Sequence, residues 1–319
     1  MRAILLNDTR SDHHVGCELV VRNTLDQCKQ HGIEITSTIR TADADHAPDL
    51  ISPLLDQNDL VLLNGEGTLH DDRPRALKLL EAASLAKAHG LKIVLYNALW
   101  SSNPAGQKHL SNFDLIFCRD SRSSEEILKS NPNLPVEFVP DMIFATPLGG
   151  TLPPRTPHPL VTDSVKKKKS LALAKFALKH KLPFAPMGRG FFRHLKSSLF
   201  LKYRLTQHCA YSHNKLDTPE SYIHKILTSS GIITGRFHTA CLAILLQTPV
   251  FCISSNTRKI ETLYTDIGLS PNLIPQSLSS LDDLQDQWQE QTRLRDQLNE
   301  HITRTRKQIT LMFAQISNI

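Results

Sequence analysis

The chain has 319 residues, of which 40% are hydrophobic and 21% are charged, a composition that is typical of folded globular domains and excludes a disordered protein. Lys and Arg outnumber Asp and Glu by 37 to 31, which gives a net charge of +6. This mild excess fits an anionic ligand or an acidic membrane surface, but it is too small to indicate nucleic-acid binding. No apolar run approaches the roughly 18 residues of a membrane span, and the N-terminus lacks a signal-peptide pattern, so we expect a cytoplasmic protein.

Cysteine usage also indicates a reducing compartment. The six cysteines include no Cys-x-x-Cys pair. Cys118, Cys241 and Cys252 lie in apolar runs, which predicts buried thiols. The fifteen histidines are scattered, and pairs such as His13-His14 lack acidic or cysteine partners at metal-binding spacing, so we expect no structural zinc.

Residues 1–140 alternate short apolar strands with helices. Repeated βα units of this kind predict a doubly wound α/β domain with a parallel sheet. Ligands of such domains bind at the carboxyl ends of the strands. The predicted strands cover residues 3–6, 34–39, 60–63, 92–95, 114–118 and 136–139, and the predicted helices cover residues 16–31, 74–89 and 125–129.

Asp8 follows the first predicted strand, in a polar loop that also contains Asp12, His13 and His14. The loop lies at the ligand-binding edge of the predicted sheet, so Asp8 is a candidate substrate-binding residue. A solvated polar turn is the alternative. Arg119 follows another predicted strand in the same way and is a second candidate for substrate binding.

The segment Asn64-Gly65-Glu66-Gly67-Thr68 follows a buried strand directly. Two glycines allow unusual backbone angles and a close approach of the ligand. Glu66 could accept hydrogen bonds from a sugar or act as a base, and all five residues are candidate site residues. The alternative is a tight turn capped by Thr68. The pattern is not a dinucleotide-binding or P-loop motif, because residue 70 is His70 and no Gly-Lys-Ser/Thr follows.

A stretch rich in Pro, Gly and Thr at residues 146–159 is the best candidate for a linker. We therefore predict an N-terminal, acceptor-side domain over residues 1–148 and a C-terminal, donor-binding domain over residues 149–319. Predicted strands resume at residues 160–162 and 182–186, and Asp163 and Ser164 follow the first of these as candidate substrate-binding residues.

Two basic segments follow. The lysines at 166–169 open a helix against its dipole, which indicates contact with a polyanion or a membrane, or else a solvated basic face. The Phe-rich segment 188–204 could lie on an anionic membrane surface as a peripheral contact, or pack on the domain as an ordinary amphipathic helix.

Near the end of the chain, residues 272–274 form a further candidate strand, and the pattern of residues 281–317 predicts one or two terminal helices.

The segment 231–256 has the strongest chemical pattern in the chain. A buried strand at 231–234 ends at Gly235, a helix covers 240–246, and a second strand covers 250–253. Arg236 and His238 therefore lie where the first helical turn begins, beside backbone N–H groups that have no helical partner. A guanidinium, an imidazole and amides at a helix N-terminus predict an anion site. The alternative is that Arg236 pairs with a surface carboxylate and His238 only caps the helix. Ser254, Ser255 and Asn256, after the second strand, are further candidates for substrate binding.

These motifs together resemble the polysaccharide pyruvyl transferase family. The segments that carry the resemblance are 63–69, 117–121 with 139–141, and above all 232–238 (Ile-Ile-Thr-Gly-Arg-Phe-His) followed by 248–250. The resemblance implies two Rossmann-like domains, similar to GT-B glycosyltransferases, with the site in the interdomain cleft. It implies phosphoenolpyruvate as donor and, as acceptor, a saccharide of a cell-surface polysaccharide or its lipid-linked precursor. The family's Arg and His map onto Arg236 and His238, whereas Asn64 and Glu66 depart from the plain glycine run that is frequent in the family.

Pyruvyl transfer requires a cationic cradle, a proton donor and a base. We assign Arg236 and the helix amides to the cradle, and His238 to proton donation or to phosphate contact. Glu66 or Asp8 is the candidate base. No metal or other cofactor is required, because arginine and lysine can meet the charge of the phosphate.

Two other functions stay open. A GT-B glycosyltransferase would place the diphosphate of a nucleotide-sugar donor at the same helix, with Glu261 as the candidate for holding the ribose. A non-catalytic partner in an envelope-assembly complex would keep the fold without the chemistry. The presence of Arg236, His238 and Glu66 argues against that second alternative.

Overall fold

The computed structural model describes residues 1–149, 153–188, 218–278, 280 and 282–319. The chain divides into two compact units. The first consists of residues 1–12, 17–145 and 304–319, and the second of residues 13–16 and 146–303. The predicted domains, 1–148 and 149–319, differ from this division because residues 304–319 group with the first unit and residues 13–16 with the second.

The first unit contains a six-stranded sheet in which all strands are parallel, in the order β2-β1-β3-β4-β5-β6. This confirms the predicted doubly wound α/β organisation. Asp8 is the last residue of β1 rather than part of the following loop. The strands are β1 Arg2–Asp8, β2 Glu34–Arg40, β3 Leu60–Glu66, β4 Lys92–Ala98, β5 Leu115–Cys118 and β6 Val136–Phe138. The α-helices are α1 Val15–Gln30, α2 Ala47–Ile51, α3 Pro74–Ala88 and α4 Ser121–Ser130.

The core of the first unit follows from the period of two along its strands. Alternate residues of β3 and β4 point to the same face, so Val61, Leu63, Ile93 and Leu95 lie in one cluster with the alanine-rich face of α3. All of these apolar side chains are fully buried. Each buried Val, Leu or Ile contributes about 1.5–3 kcal/mol relative to an exposed one, so this layer fixes the sheet that positions the strand ends.

The described part of the second unit contains a three-stranded parallel sheet in the order β7-β8-β9. Its strands are β7 Leu160–Ser164, β8 Ile232–Gly235 and β9 Val250–Cys252. Its helices are α5 Lys167–Lys179, α6 Pro219–Thr228, α7 Phe237–Leu245, α8 Lys259–Asp266 and α9 Gln285–Arg293, and α10 Arg295–Ile316 begins in it. The predicted terminal helices are therefore confirmed as α9 and α10.

Two predicted strands of the second unit are wrong. Residues 182–186 form only an isolated bridge between Phe184 and Val161, because Pro183 and Pro186 lack the N–H that a longer ladder requires. Residues 272 and 273 belong to a 3₁₀ turn, Pro271–Leu273, and Ile274 is its C-cap residue. The segment 188–204 lies, except for Gly188, outside the described residues. None of the helices in the described ranges is both long enough and apolar enough to cross a membrane.

Candidate functional site

Arg236 is the N-cap residue of α7, directly after β8. Its backbone is extended, with φ −108° and ψ 127°, and its amide donates to Thr234 Oγ1 at 2.9 Å. His238 is therefore the second residue of the helix. The first turn of a helix carries unsatisfied N–H groups and about half a unit of positive charge, so both side chains extend from an end of the helix that favours anions.

A buried carboxylate holds the guanidinium of Arg236. Asp163 lies near the end of β7 and its side chain is fully buried, whereas that of Arg236 is 13% exposed. Asp163 Oδ2 accepts hydrogen bonds from Arg236 Nε at 3.1 Å and from Nη2. Asp163 Oδ1 accepts from the Met187 amide at 3.0 Å. Arg236 therefore does pair with a carboxylate, as the alternative expected, but its partner is buried in the interior rather than at the surface.

In the second unit, the imidazole of His14 lies within reach of three other groups, Arg236, His238 and Lys259. The rings of His14 and His238 are 5.6 Å apart in an edge-to-face arrangement. The pKa of His14 is held well below its ordinary value of 6.5, because burial disfavours the imidazolium and because Arg236, His238 and Lys259 add positive charge. His14 is therefore neutral at pH 7 and can accept a hydrogen bond.

The sequence pattern only partly identified this group. The pattern predicts His14 at a strand end but indicates no role for it, and it does not indicate Lys259 as a site residue. No spacing rule connects His14 with His238, which are more than 200 residues apart in the chain. A strand end followed by adjacent histidines is the one signal that could have found His14.

Two glycines make room around these side chains. A Cβ at Gly16 would lie 2.5 Å from the His238 ring. A Cβ at Gly235 would lie 2.6 Å from Ser164 Cβ and 2.7 Å from Ser164 Oγ. Such distances are shorter than any carbon contact allows, so both positions require glycine. Ser164 Oγ is buried and has no hydrogen-bond partner in the part of the chain that the structure describes.

Ser254 is bound within the fold rather than presented to solvent. Lys169 Nζ donates to Ser254 O at 2.9 Å and to Gln276 Oε1 at 3.1 Å, and it also bonds Ser254 Oγ. Burial, together with the charge of Lys166, lowers the pKa of Lys169. Ser255 Oγ donates to Asn256 Oδ1 at 3.2 Å.

Of the four lysines at 166–169, the first three are exposed, which agrees with a solvated face, and only the last is partly buried.

Three asparagines connect the strand ends of the first unit. Asn7 Nδ2 donates to Asn64 O at 2.6 Å and to Thr68 Oγ1 at 3.1 Å. Asn64 Nδ2 donates to Glu66 Oε2 at 3.4 Å, and Asn97 Nδ2 donates to Asn64 Oδ1 at 3.5 Å. The network holds the side chain of Glu66, which is 3% exposed, at the carboxyl end of β3.

Positive backbone angles at these strand ends belong to residues other than glycine. The φ angles are 69° at Asn7, 33° at Glu66 and 54° at Asn97. The expectation that Gly65 and Gly67 supply the unusual angles is wrong, since neither has a positive φ. Gly65 is needed for close approach, because its Cβ would lie 2.6 Å from Ala98 Cα. A left-handed residue other than glycine costs on the order of 1–3 kcal/mol and is frequent at functional sites, which keeps Glu66 a candidate.

The other two charged candidates of the first unit are paired. Arg119 Nη1 donates to Asp141 Oδ2 at 3.1 Å, and both side chains are only 1% exposed. Asp8 accepts from the guanidinium of Arg10, with both oxygens 3.0 Å from Nε. Both carboxylate oxygens of Asp8 are therefore already engaged by a guanidinium of the same unit.

Comparison with known proteins supports both the family and the fold. The family model described as polysaccharide pyruvyl transferase matches residues 14–257, which is more than half of the chain. No curated protein sequence matches the chain.

Three solved structures resemble it at TM-scores of 0.53. UDP-GlcNAc 2-epimerase from Methanocaldococcus jannaschii, in complex with UDP-GlcNAc and UDP, is 12% identical, and the match covers 85% of this chain and 88% of that one. UDP-GlcNAc 2-epimerase from Neisseria meningitidis, bound to UDP-GlcNAc, is 13% identical, with 98% and 100% covered. A UDP-glucosyltransferase from Polygonum tinctorium is 9% identical, with 99% and 98% covered.

Identities this low show the fold alone, and they confirm the expected GT-B-like class. The family match includes both the strand-end segment around Glu66 and the Arg-Phe-His segment at the start of α7. The chain belongs to the polysaccharide pyruvyl transferase family.

Proposed function

We propose that this protein transfers a pyruvyl group from phosphoenolpyruvate to a sugar of a cell-surface polysaccharide or its precursor, forming a ketal. Family membership supports the reaction class. The observation that carries the proposal is the arginine at the start of α7, held by buried Asp163 within a group that also contains His14, His238 and Lys259. Phosphoenolpyruvate carries a carboxylate and a phosphate, and such a cationic group suits both.

The reaction defines what the site must supply. A proton adds to the methylene carbon C3, which leaves an oxocarbenium-like centre at C2. One sugar hydroxyl forms a C–O bond to C2 and loses its proton. The bond between C2 and the phosphate oxygen then breaks, phosphate leaves, and the second hydroxyl closes the ketal with loss of its own proton. The site therefore needs anion binding, one proton donor and a proton acceptor.

The residues of the second unit fit the donor side of this scheme. Arg236 and the first turn of α7 bind the carboxylate or phosphate, and Lys259 adds charge for the leaving phosphate. His238 donates the proton to C3 or contacts the phosphate. His14, whose lowered pKa keeps it neutral at pH 7, can accept a hydrogen bond from the substrate or from His238.

The first unit supplies the candidate for the acceptor side. Glu66 combines a buried carboxylate with a left-handed backbone and an asparagine network. In this proposal it accepts the proton of the attacking sugar hydroxyl. Asn64 and Thr68 position it through hydrogen bonds with their neighbours.

One observation favours a nucleotide-sugar glycosyltransferase as second candidate. Glu261 Oε2 is buried and has no hydrogen-bond partner among the described residues. Glu261 lies in α8, after β9, where a carboxylate could bind the two hydroxyls of a ribose. In this alternative Arg236 would bind a donor diphosphate instead of phosphoenolpyruvate.

A ligand-dependent melting experiment on the full chain separates the two. A ligand present at about 100 times its Kd stabilises the folded state by about 2.7 kcal/mol, enough for a clear shift of the melting temperature. We expect phosphoenolpyruvate to raise the melting temperature of the wild type, and Arg236→Ala to lose the shift. Arg75→Ala, which removes an exposed arginine paired with Asp45, is the matched control and should keep it.

A shift with UDP-sugars alone would favour the glycosyltransferase and overturn the proposal. Release of phosphate from phosphoenolpyruvate, dependent on an added saccharide, would then test turnover. Loss of this activity in folded Glu66→Gln and His238→Gln variants would also exclude a non-catalytic role for the fold.

A further inference from the structure

A cavity of about 300 Å³ lies in the second unit where α7 ends and β9 begins. His238 and Ile244 are six residues apart on α7, which corresponds to about 9 Å along the helix axis. The cavity is therefore at the opposite end of α7 from Arg236 and is a separate feature. The residues that define its chemistry are Arg155, Ile244, Pro249, Arg295, Leu298 and Asn299.

Among the described residues, two arginines line this cavity and no acidic residue does. Arg155 Nη2 donates to Gln247 O at 2.8 Å, just past the end of α7. Burial, together with the charge of Arg295, lowers the pKa of Arg155. Arg295 forms neither an ion pair nor a side-chain hydrogen bond within the described residues. Two guanidinium groups thus line one concave surface on which the described part of the chain places no acidic side chain.

Helix capping explains one of these arginines but not the other. A cation at a helix C-terminus is favourable because the last carbonyls carry negative partial charge, so Arg155 has a structural role. Arg295 repels Arg155, and none of the residues that the structure describes is its hydrogen-bond or ion-pair partner. Placing a second guanidinium there costs energy in the empty protein, and an anion between the two would recover it.

The remaining walls indicate that the ligand also has an apolar part. Ala243, Ile244, Pro249 and Leu298 provide carbon surface. Asn299 Oδ1 is buried in the wall and has no hydrogen-bond partner among the described residues. An amide of this kind can offer either a donor or an acceptor by rotation of its end group, so it can bond a polar atom of a ligand.

We propose that this cavity is a second binding site, for a small organic phosphate. The phosphoryl group lies between Arg155 and Arg295, and the organic part packs against Ile244 and Leu298. A phosphate monoester carries nearly two negative charges at pH 7 and three acceptor oxygens. It therefore matches two guanidinium forks better than a single carboxylate does.

Calorimetric titration of the full chain tests the site with butyl phosphate, inorganic phosphate and butanol as probes. We expect butyl phosphate to bind in a saturable manner and more tightly than inorganic phosphate, and butanol not to bind. Arg295→Ala should weaken butyl phosphate about tenfold or more, as expected for loss of a charged hydrogen bond. Because Arg295 is exposed, is unpaired within the described residues and repels Arg155, this variant should not lower the melting temperature in the absence of ligand.

Two control variants locate the binding. Arg293→Ala removes an exposed arginine two positions away that does not line the cavity, and it should bind like the wild type. Arg236→Ala changes the separate donor site and should leave in place the butyl phosphate binding that depends on Arg295. Absence of saturable binding, an equal loss in Arg293→Ala, or a loss confined to Arg236→Ala would overturn the proposal.

Discussion

The ion pair between Asp163 and Arg236 allows a quantitative prediction. Asp163→Asn preserves the shape of the side chain and an acceptor for the Met187 amide, but it removes the negative charge opposite Arg236. Removing one partner of a buried pair costs about 3–5 kcal/mol. The 13% exposure of Arg236 and the hydrogen bonds that asparagine retains reduce this cost. We therefore expect Asp163→Asn to lower the free energy of unfolding by about 1–2 kcal/mol. Asp163→Ala should lower it by about 3 kcal/mol.

Urea unfolding of each variant at pH 7.5 provides the measurement, and Asp45→Asn is the matched control. Asp45 pairs with Arg75, and both side chains are about half exposed, at 50% and 54%. Exposed pairs contribute about 0–1 kcal/mol, so the control should unfold close to the wild type. Asp163→Asn should also lose transfer activity, because the guanidinium of Arg236 is no longer held in one direction. An unfolding midpoint equal to that of Asp45→Asn, with activity intact, would refute this reasoning.

Three further variants test other parts of the structure. Gly65→Ala should lower the free energy of unfolding in urea by about 1–3 kcal/mol, because the new Cβ would lie 2.6 Å from the backbone of Ala98. Gly67→Ala should be nearly neutral, because the nearest atom to its Cβ is 3.9 Å away. Similar losses in both variants would contradict the packing argument. The pKa of His14 is lower in the folded state than in the unfolded chain, so the unfolded chain binds the proton more tightly and the free energy of unfolding falls as the pH drops below 6.5. His14→Gln should reduce this pH dependence of stability. His89→Gln, at an exposed position, should not reduce it. Burial raises the pKa of the Cys28 thiol to about 12. Iodoacetamide should therefore modify Cys28 only after unfolding, as measured by peptide mass spectrometry. Modification of Cys28 in the native protein would contradict its burial.

The sequence predicted the elements that carry the candidate site because their local signals are strong. The apolar run before Gly235 and the apolar helix after Arg236 have the length and composition of a buried strand and a buried helix. The placement of Arg236 and His238 at the start of that helix follows directly from these signals. In the same way, the alternation of strands and helices in residues 1–140 predicted the parallel sheet.

Partners that are distant in the sequence could not be predicted. Asp163 meets Arg236 because β7 and β8 pair with Ser164 opposite Gly235, and sequence periodicity does not determine which strands are neighbours. Arg119 and Asp141 are joined for the same reason, through the pairing of β5 with β6. Both arginines were predicted as ligand contacts, and the structure adds the buried carboxylate that each one faces.

Backbone strain was also assigned to the wrong residues. Glycine is the usual residue at positive φ, so Gly65 and Gly67 were expected to adopt it. Hydrogen bonds from three asparagines stabilise the left-handed conformation at Asn7, Glu66 and Asn97 instead. Such a network depends on side chains from three strands, which a local pattern does not reveal.

Calorimetric titration of phosphoenolpyruvate into the wild type and into Arg236→Ala tests the central claim most directly. If the guanidinium held by Asp163 binds the donor, the wild type will bind saturably and Arg236→Ala will bind about tenfold to 100-fold more weakly, as expected for a lost charged hydrogen bond. Arg75→Ala should match the wild type. Equal affinity of Arg236→Ala and the wild type for phosphoenolpyruvate would contradict the account.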